Sequence, residues 1–273
     1  MRRTEVLVEG LDHPEGVAWD PDAGCLWAGG EAGQVYRVEL EERTYHEAAR
    51  APGFVGGLAV DGRGRLALCC QQAGVFGWDG RGFTPLATDV VFANYPAFAP
   101  DGALYVSDSG RWRDDDGQIV RIDADGRVET LGRERPCFTN GLAVSADGRW
   151  LWLVESYEPR LSRYDLRTGA CETVLRIDGT VPDGIALTDA GGLLITCYRP
   201  DRIYHLDADG ALEIVADDPQ GTILGAPTNV CFAGAELDRV VAANLGRWHL
   251  TLLDLGLRGA PLHRPTRWAL DAR

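Results

Sequence analysis

Three short phrases in this 273-residue chain place oxygen-bearing side chains directly before glycine: His13-Pro-Glu15-Gly, Thr139-Asn140-Gly and Pro182-Asp183-Gly. Each opens an apolar run: Val-Ala-Trp, Leu-Ala-Val and Ile-Ala-Leu in turn. Two carboxylates brought to one place repel unless a proton or a cation lies between them. Two carboxylates and an amide, with neither Cys nor His at the equivalent places, suit a hard divalent ion such as Ca2+ or Mg2+. Asn or Asp before Gly is also a common way to build a turn, and taken singly each phrase reads more readily as that. Their shared place in a repeat decides for the metal.

The phrase returns six times: Glu15-Gly-Val-Ala-Trp, Gly56-Gly-Leu-Ala-Val, Tyr95-Pro-Ala-Phe-Ala, Asn140-Gly-Leu-Ala-Val, Asp183-Gly-Ile-Ala-Leu and Thr228-Asn-Val-Cys-Phe. The period is about forty-three residues, the length of one supersecondary unit. Within a unit, a short apolar strand runs into a turn such as Asp61-Gly, Asp101-Gly or Asp147-Gly, and Asp-Gly between apolar runs is a strong hairpin signal. A second strand follows, as in Leu104-Tyr-Val-Ser and Leu151-Trp-Leu-Val. The third alternates, as in Gln34–Val38 and Arg202–Leu206, and a short fourth falls near Thr44–Ala48, Arg127–Leu131, Cys171–Leu175 and Leu212–Val215. No window carries a helical stripe with caps. Six units of four antiparallel strands predict an all-β fold, a six-bladed β-propeller forming one domain over residues 1–273. Val6–Glu9 is expected to add the outer strand of the sixth blade and close the ring.

In that fold the opening residues of the six phrases, Glu15, Gly56, Tyr95, Asn140, Asp183 and Thr228, surround one axis. Blades one and four face each other and blade five adjoins blade four, so Glu15, Asn140 and Asp183 are expected to converge on one divalent ion. Ca2+ is the first candidate, with Mg2+, Mn2+ or Zn2+ as the others. The turns between second and third strands should rim the same face. Aromatic groups mixed with a few polar ones suit a small organic ligand, and Trp112, Tyr157, Tyr198 and His249 are the expected substrate-lining residues there.

The three phrases, each opening a blade, resemble the senescence marker protein-30/gluconolactonase family, and the resemblance spans essentially the whole chain. It implies that Glu15, Asn140 and Asp183 bind one divalent cation and that Asp183 is the general base in opening a lactone. Asn94, in Ala93-Asn94-Tyr95-Pro, is similar to a further family Asn beside the metal that contacts substrate or completes the shell. An amide cannot exchange protons at neutral pH, so its part is orientation. Sugar-lactonase members usually carry Arg two residues before that Asn and Asp just after it. Phe92 and Tyr95 stand in those places, which points away from a highly hydroxylated sugar lactone and toward a more apolar pocket. Besides lactone hydrolysis, the same residues are compatible with a metal-dependent isomerase or cyclase, and with a non-catalytic, calcium-stabilised binding propeller.

Composition narrows the classes further. The formal charge is −14, and all 27 basic residues are Arg. An acidic chain without a basic run is a poor partner for nucleic acid or an anionic membrane, so the expected partner is a small-molecule substrate. Glu5 and Glu9 interrupt what a signal peptide needs to keep apolar, and no run approaches the ~20 apolar residues of a membrane span. The seven cysteines form no metal-type pair and mostly sit in apolar runs, as buried thiols of a reducing compartment do. A cytoplasmic location is expected. No G-x-S-x-G elbow, phosphate loop or dinucleotide fingerprint is present, so serine hydrolysis and nucleotide chemistry lack their machinery.

Overall fold

The computed structural model describes residues 3–114, 116–131 and 138–272. Their strands pair into six four-stranded antiparallel sheets, the blades of a six-bladed β-propeller. Alternating apolar side chains and glycine-bearing turns dictate this locally, because one face of each short strand can be buried only against another sheet. In blades one to five the four strands follow chain order. The first strands are Val17–Asp20, Val55–Val60, Ala93–Phe98, Thr139–Val144, Val181–Leu187 and Pro227–Ala233. In the sixth blade the outer strand is Arg3–Glu9, paired antiparallel with His249–Asp254. It begins at Arg3 rather than at the expected Val6.

The chain forms two compact units. The first runs to Val55 and resumes over Thr180–Pro261, and it holds blades one, five and six. Leu7, Val17, Leu26, Val38, Val241 and Leu250 build one part of its core, and Leu194, Ile203, Val230, Val240 and Leu253 another. The second unit spans Gly56–Gly179 and the tail from Leu262, and it holds blades two, three and four. Val75, Leu104, Val106 and Ile122 pack there with Phe98 and Trp268, while Ile119, Leu142, Leu151 and Leu153 fill the space beside blade four.

The tail is tied in by a buried polar cluster that sequence patterning does not announce. Trp268 is fully buried, packs edge-on against Phe98 at 5.0 Å and donates its Nε1–H to Asp61 Oδ2 at 2.7 Å. Arg65 then bridges Asp61, at 2.6 Å, to Asp271, at 2.8 and 2.9 Å.

Candidate functional site

Four of the six repeated positions share one backbone device, while Glu15 lies just before its strand, which begins at Val17. In blade three Ala93 pairs with Asp108 and Pro96 with Val106. In blade four Thr139 pairs with Glu155 and Leu142 with Leu153. Blade five repeats this with Pro182 on Cys197 and Ile185 on Ile195, and blade six with Pro227 on Asn244 and Val230 on Ala242. Each first strand therefore carries one residue more than its partner, a β-bulge, which re-aims side chains out of the pleat. Asn94, Asn140, Asp183 and Thr228 are the first residues inside the four bulges. The phrases around Asn140 and Asp183 are thus not turns. They lie within strands, and their recurrence marks where the ladder is interrupted.

This register corrects the sequence alignment of the third unit, which puts Tyr95 at the repeated position. The structure puts Asn94 there, and Asn94-Tyr-Pro-Ala-Phe matches Asn140-Gly-Leu-Ala-Val. Tyr stands where the other units carry glycine or Asn229, and that replacement shifted the apparent phrase by one residue. The glycine elsewhere has a packing reason. A β-carbon on Gly57 would lie 2.6 Å from the Asn94 carbonyl oxygen, and one on Gly184 2.6 Å from that of Thr228. Adjacent first strands approach too closely at these two points for any side chain.

In the second unit, the amides of Asn94 and Asn140 are oriented by matching serines. Asn94 donates its Nδ2–H to Ser109 Oγ at 3.0 Å, and Asn140 to Ser156 Oγ at 3.1 Å. Ser109 gives its own proton to the Thr139 carbonyl at 2.6 Å, so toward Asn94 it can only accept. The amide nitrogen must face the serine, and the carbonyl oxygen faces away. Both Oδ1 atoms are buried and accept no hydrogen bond, in residues 2% and 3% exposed. A buried amide oxygen without a donor is costly, and a cation relieves that cost.

In the first unit, Glu15 and Asp183 are 4% and 7% exposed. The Glu15 carbonyl accepts from Thr228 Oγ1 at 2.8 Å, Asn229 Nδ2 at 3.0 Å and Asn229 N at 3.3 Å. Thr228 offers its carbonyl to Thr196 Oγ1, and that hydroxyl accepts the Gly184 N–H at 2.8 Å. One hydrogen-bonded run thus fixes the backbone from Glu15 to the residue after Asp183. Asn229 is absent from the sequence expectation, and its own Oδ1 is also buried without a hydrogen bond. Cys197, paired with Pro182, has its thiol pushed up to about 12, first by burial and then by the negative charge of Asp183. It stays a thiol, and none of the described cysteines is in a disulfide.

The proposed lining residues separate into distinct settings. Trp112 and Tyr157 come together, edge to face at 5.3 Å, with 45% and 44% exposure. Tyr198 lies within the strand Leu193–Arg199, half-buried, with the Arg199 guanidinium 5.0 Å from its ring. His249 is expected in a turn, but it opens the third strand of blade six. It is buried there, with Nε2 2.9 Å from the Ile223 carbonyl oxygen. Asp12, His13 and Glu31 form a further group in the first unit, whose candidate ligand atoms all lie within 4.8 Å of one another. Asp12 Oδ2 already accepts from Ala32 N and Gln34 Nε2, and His13 Nδ1 contacts the Leu245 carbonyl at 2.9 Å.

The family model of the SMP-30/gluconolactonase/LRE-like region matches residues 13–243. The chain belongs to this family. Solved structures of similar fold include a gluconolactonase from Xanthomonas campestris, 22% identical with a TM-score of 0.79, covering 93% of this chain and 90% of that one. A calcium-binding regucalcin from Agrobacterium tumefaciens is 21% identical with a TM-score of 0.80, covering 96% and 97%. A luciferin-regenerating enzyme is 17% identical with a TM-score of 0.79, covering 97% and 99%. No curated protein matches the sequence. Among the described residues, no helix is long and apolar enough to cross a membrane.

Proposed function

We infer that this member of the family is a divalent-metal-dependent hydrolase that opens a lactone, and one that is not a highly hydroxylated sugar lactone. The observation that carries the reading is the pair of buried amide oxygens at Asn94 and Asn140, each turned away from its serine and left without a donor. Glu15 and Asp183 supply carboxylates at the corresponding place in their own blades. Glu15, Asn140 and Asp183 would hold the cation, and a donor set of oxygen alone favours Ca2+. When bound, such an ion supplies Lewis-acid stabilisation of negative charge on an ester carbonyl oxygen.

The remaining chemistry belongs to the chain. Asp183 accepts the proton of the water that attacks the carbonyl carbon, using the carboxylate oxygen that faces the substrate. As the ring C–O bond breaks, that proton passes to the departing alkoxide, so lactone and water give the open hydroxy acid. Asn94 orients the substrate. Phe92 and Tyr95 flank it where Arg and Asp would serve a polyol.

Asp183→Asn is the test. Metal analysis of the parent, purified without chelator, should find about one ion per chain, as one closed site implies. The variant should lose turnover of lactones by about 10²–10⁴-fold, the range of a missing general base. If it keeps near-normal kcat with metal bound, Asp183 is not the base. If the parent opens no member of a lactone panel while its stability still depends on the cation, the hydrolase reading fails as a whole.

A further inference from the structure

Four aromatic side chains of the second unit form a continuous run. Phe92 lies 5.7 Å from Phe138, Phe138 4.9 Å from Trp112, and Trp112 5.3 Å from Tyr157, with interplanar angles of 48°, 74° and 75°. Sequence reasoning singled out Phe92, Trp112 and Tyr157 separately but missed Phe138, which joins them. Phe138 stands two residues before Asn140, as Phe92 stands two residues before Asn94.

The run is open, yet its backbone is held in place. Nearly half of Trp112 and Tyr157 is exposed, although such rings usually bury most of their large surface. Phe138 adopts φ +58°, a region that a bulky residue rarely enters without a constraint. Its carbonyl accepts from Ser156 N at 3.0 Å, and the Phe92 carbonyl accepts from Ser109 N at 2.9 Å. Asp108, fully buried, takes the Phe92 N–H at 2.7 Å, the Val91 N–H at 3.0 Å and Gln118 Nε2–H at 2.9 Å. The serines that orient the two asparagine amides therefore also anchor the two phenylalanines. Rings fixed before the ligand arrives lose little freedom when it binds.

We propose that the run Phe92–Phe138–Trp112–Tyr157 is a recognition site for a planar apolar group, and that the substrate is a lactone bearing an aryl substituent. This rests on the lactonase reading of the adjoining residues. Two residues of extended chain span about 7 Å, so the phenylalanines sit roughly one aromatic ring's length along the chain from the amides at Asn94 and Asn140. That spacing fits an ester ring beside the amides with its own substituent beside the phenylalanines. Phe138 and Trp112 are the specificity-determining residues, because they sit at the middle of the run.

The test uses a ligand that cannot be hydrolysed. Calorimetric titration of the Ca2+-loaded protein compares 5-phenyl-2-pyrrolidinone with unsubstituted 2-pyrrolidinone. The phenyl lactam should bind at least about tenfold more tightly, the scale of aromatic pairing plus buried area. Trp112→Ala should remove most of that ratio and Trp112→Phe should restore part of it, which separates recognition from a folding defect. Equal affinities, no binding of either lactam, or a ratio unchanged in Trp112→Ala overturns the proposal. A protein that prefers the phenyl lactam but opens no lactone refutes the hydrolase reading and leaves this recognition site standing.

Discussion

Gly184→Ala probes the closeness of approach on which the candidate carboxylates depend. A β-carbon at this position would lie 2.6 Å from the Thr228 carbonyl oxygen, 2.7 Å from Asn229 Oδ1 and 2.8 Å from Asn229 Cα, whereas ordinary contact begins at 3.4 Å. Two of the three obstacles are backbone atoms, and the third belongs to a side chain whose amide is bonded to the Glu15 carbonyl. No flexible group can move aside, so the first strands of blades five and six must part. Overpacking of this kind costs about 1–3 kcal/mol, and for a chain this long each kcal/mol lowers Tm by about 2–4 °C. The displaced strand carries Thr228 and Asn229, which hold the Glu15 backbone, and it lies against the residue after Asp183. Ca2+ affinity should therefore fall together with stability. Gly82→Ala is the control, since nothing lies within 4 Å of a β-carbon there, and it should stay within about 0.5 kcal/mol of the parent. Thermal and urea denaturation of the three proteins, first in chelator and then with added Ca2+, gives both quantities. If Gly184→Ala unfolds in chelator within about 0.5 kcal/mol of the parent, the close-approach argument is wrong.

Two further expectations concern the tail. Trp268→Ala removes a fully buried indole and its bond to Asp61 and should cost about 3–5 kcal/mol; a change under 1 kcal/mol in urea denaturation would show that the tail contributes little. The Arg65 hydrogen bonds hold the Asp271 carboxyl down at about 2, against an ordinary 3.8. A carboxyl depressed on folding stabilises the protein above its unfolded pKa, and that contribution disappears as pH falls through the folded value. Asp271→Asn should thus be less stable than the parent at pH 7, with the gap closing between about pH 4 and pH 2. A gap that is constant over that range in urea midpoints would assign its origin to packing instead of charge.

Much of this molecule is legible from local pattern. Alternation and Asp-Gly turns mark strands because they report which face of each short segment can be buried. Their recurrence six times over counts the blades, down to the N-terminal strand that completes the sixth. The phrases at Glu15, Asn140 and Asp183 are conspicuous because a small residue follows each and the phrase repeats with the blade; after Asp183 that residue, Gly184, lets the first strands of blades five and six meet.

The third blade shows where local pattern stops. Tyr95 in the place of glycine obscured the phrase, and only the pairing of Ala93 with Asp108 and Pro96 with Val106 put Asn94 inside the bulge. Bulge position, amide orientation and ring contacts depend on partners 10 or more residues away, whose approach no composition or period records. Tertiary structure alone decided that Ser109 turns Asn94, that Phe138 joins Phe92 to Trp112, that the His249 ring rests against the Ile223 carbonyl, and that Trp268 returns to Asp61 across 207 residues. Sequence by itself determined the repeating strands and their number, since those follow from the burial of each segment. The directions in which their side chains point follow from contacts that exist only once the blades have packed.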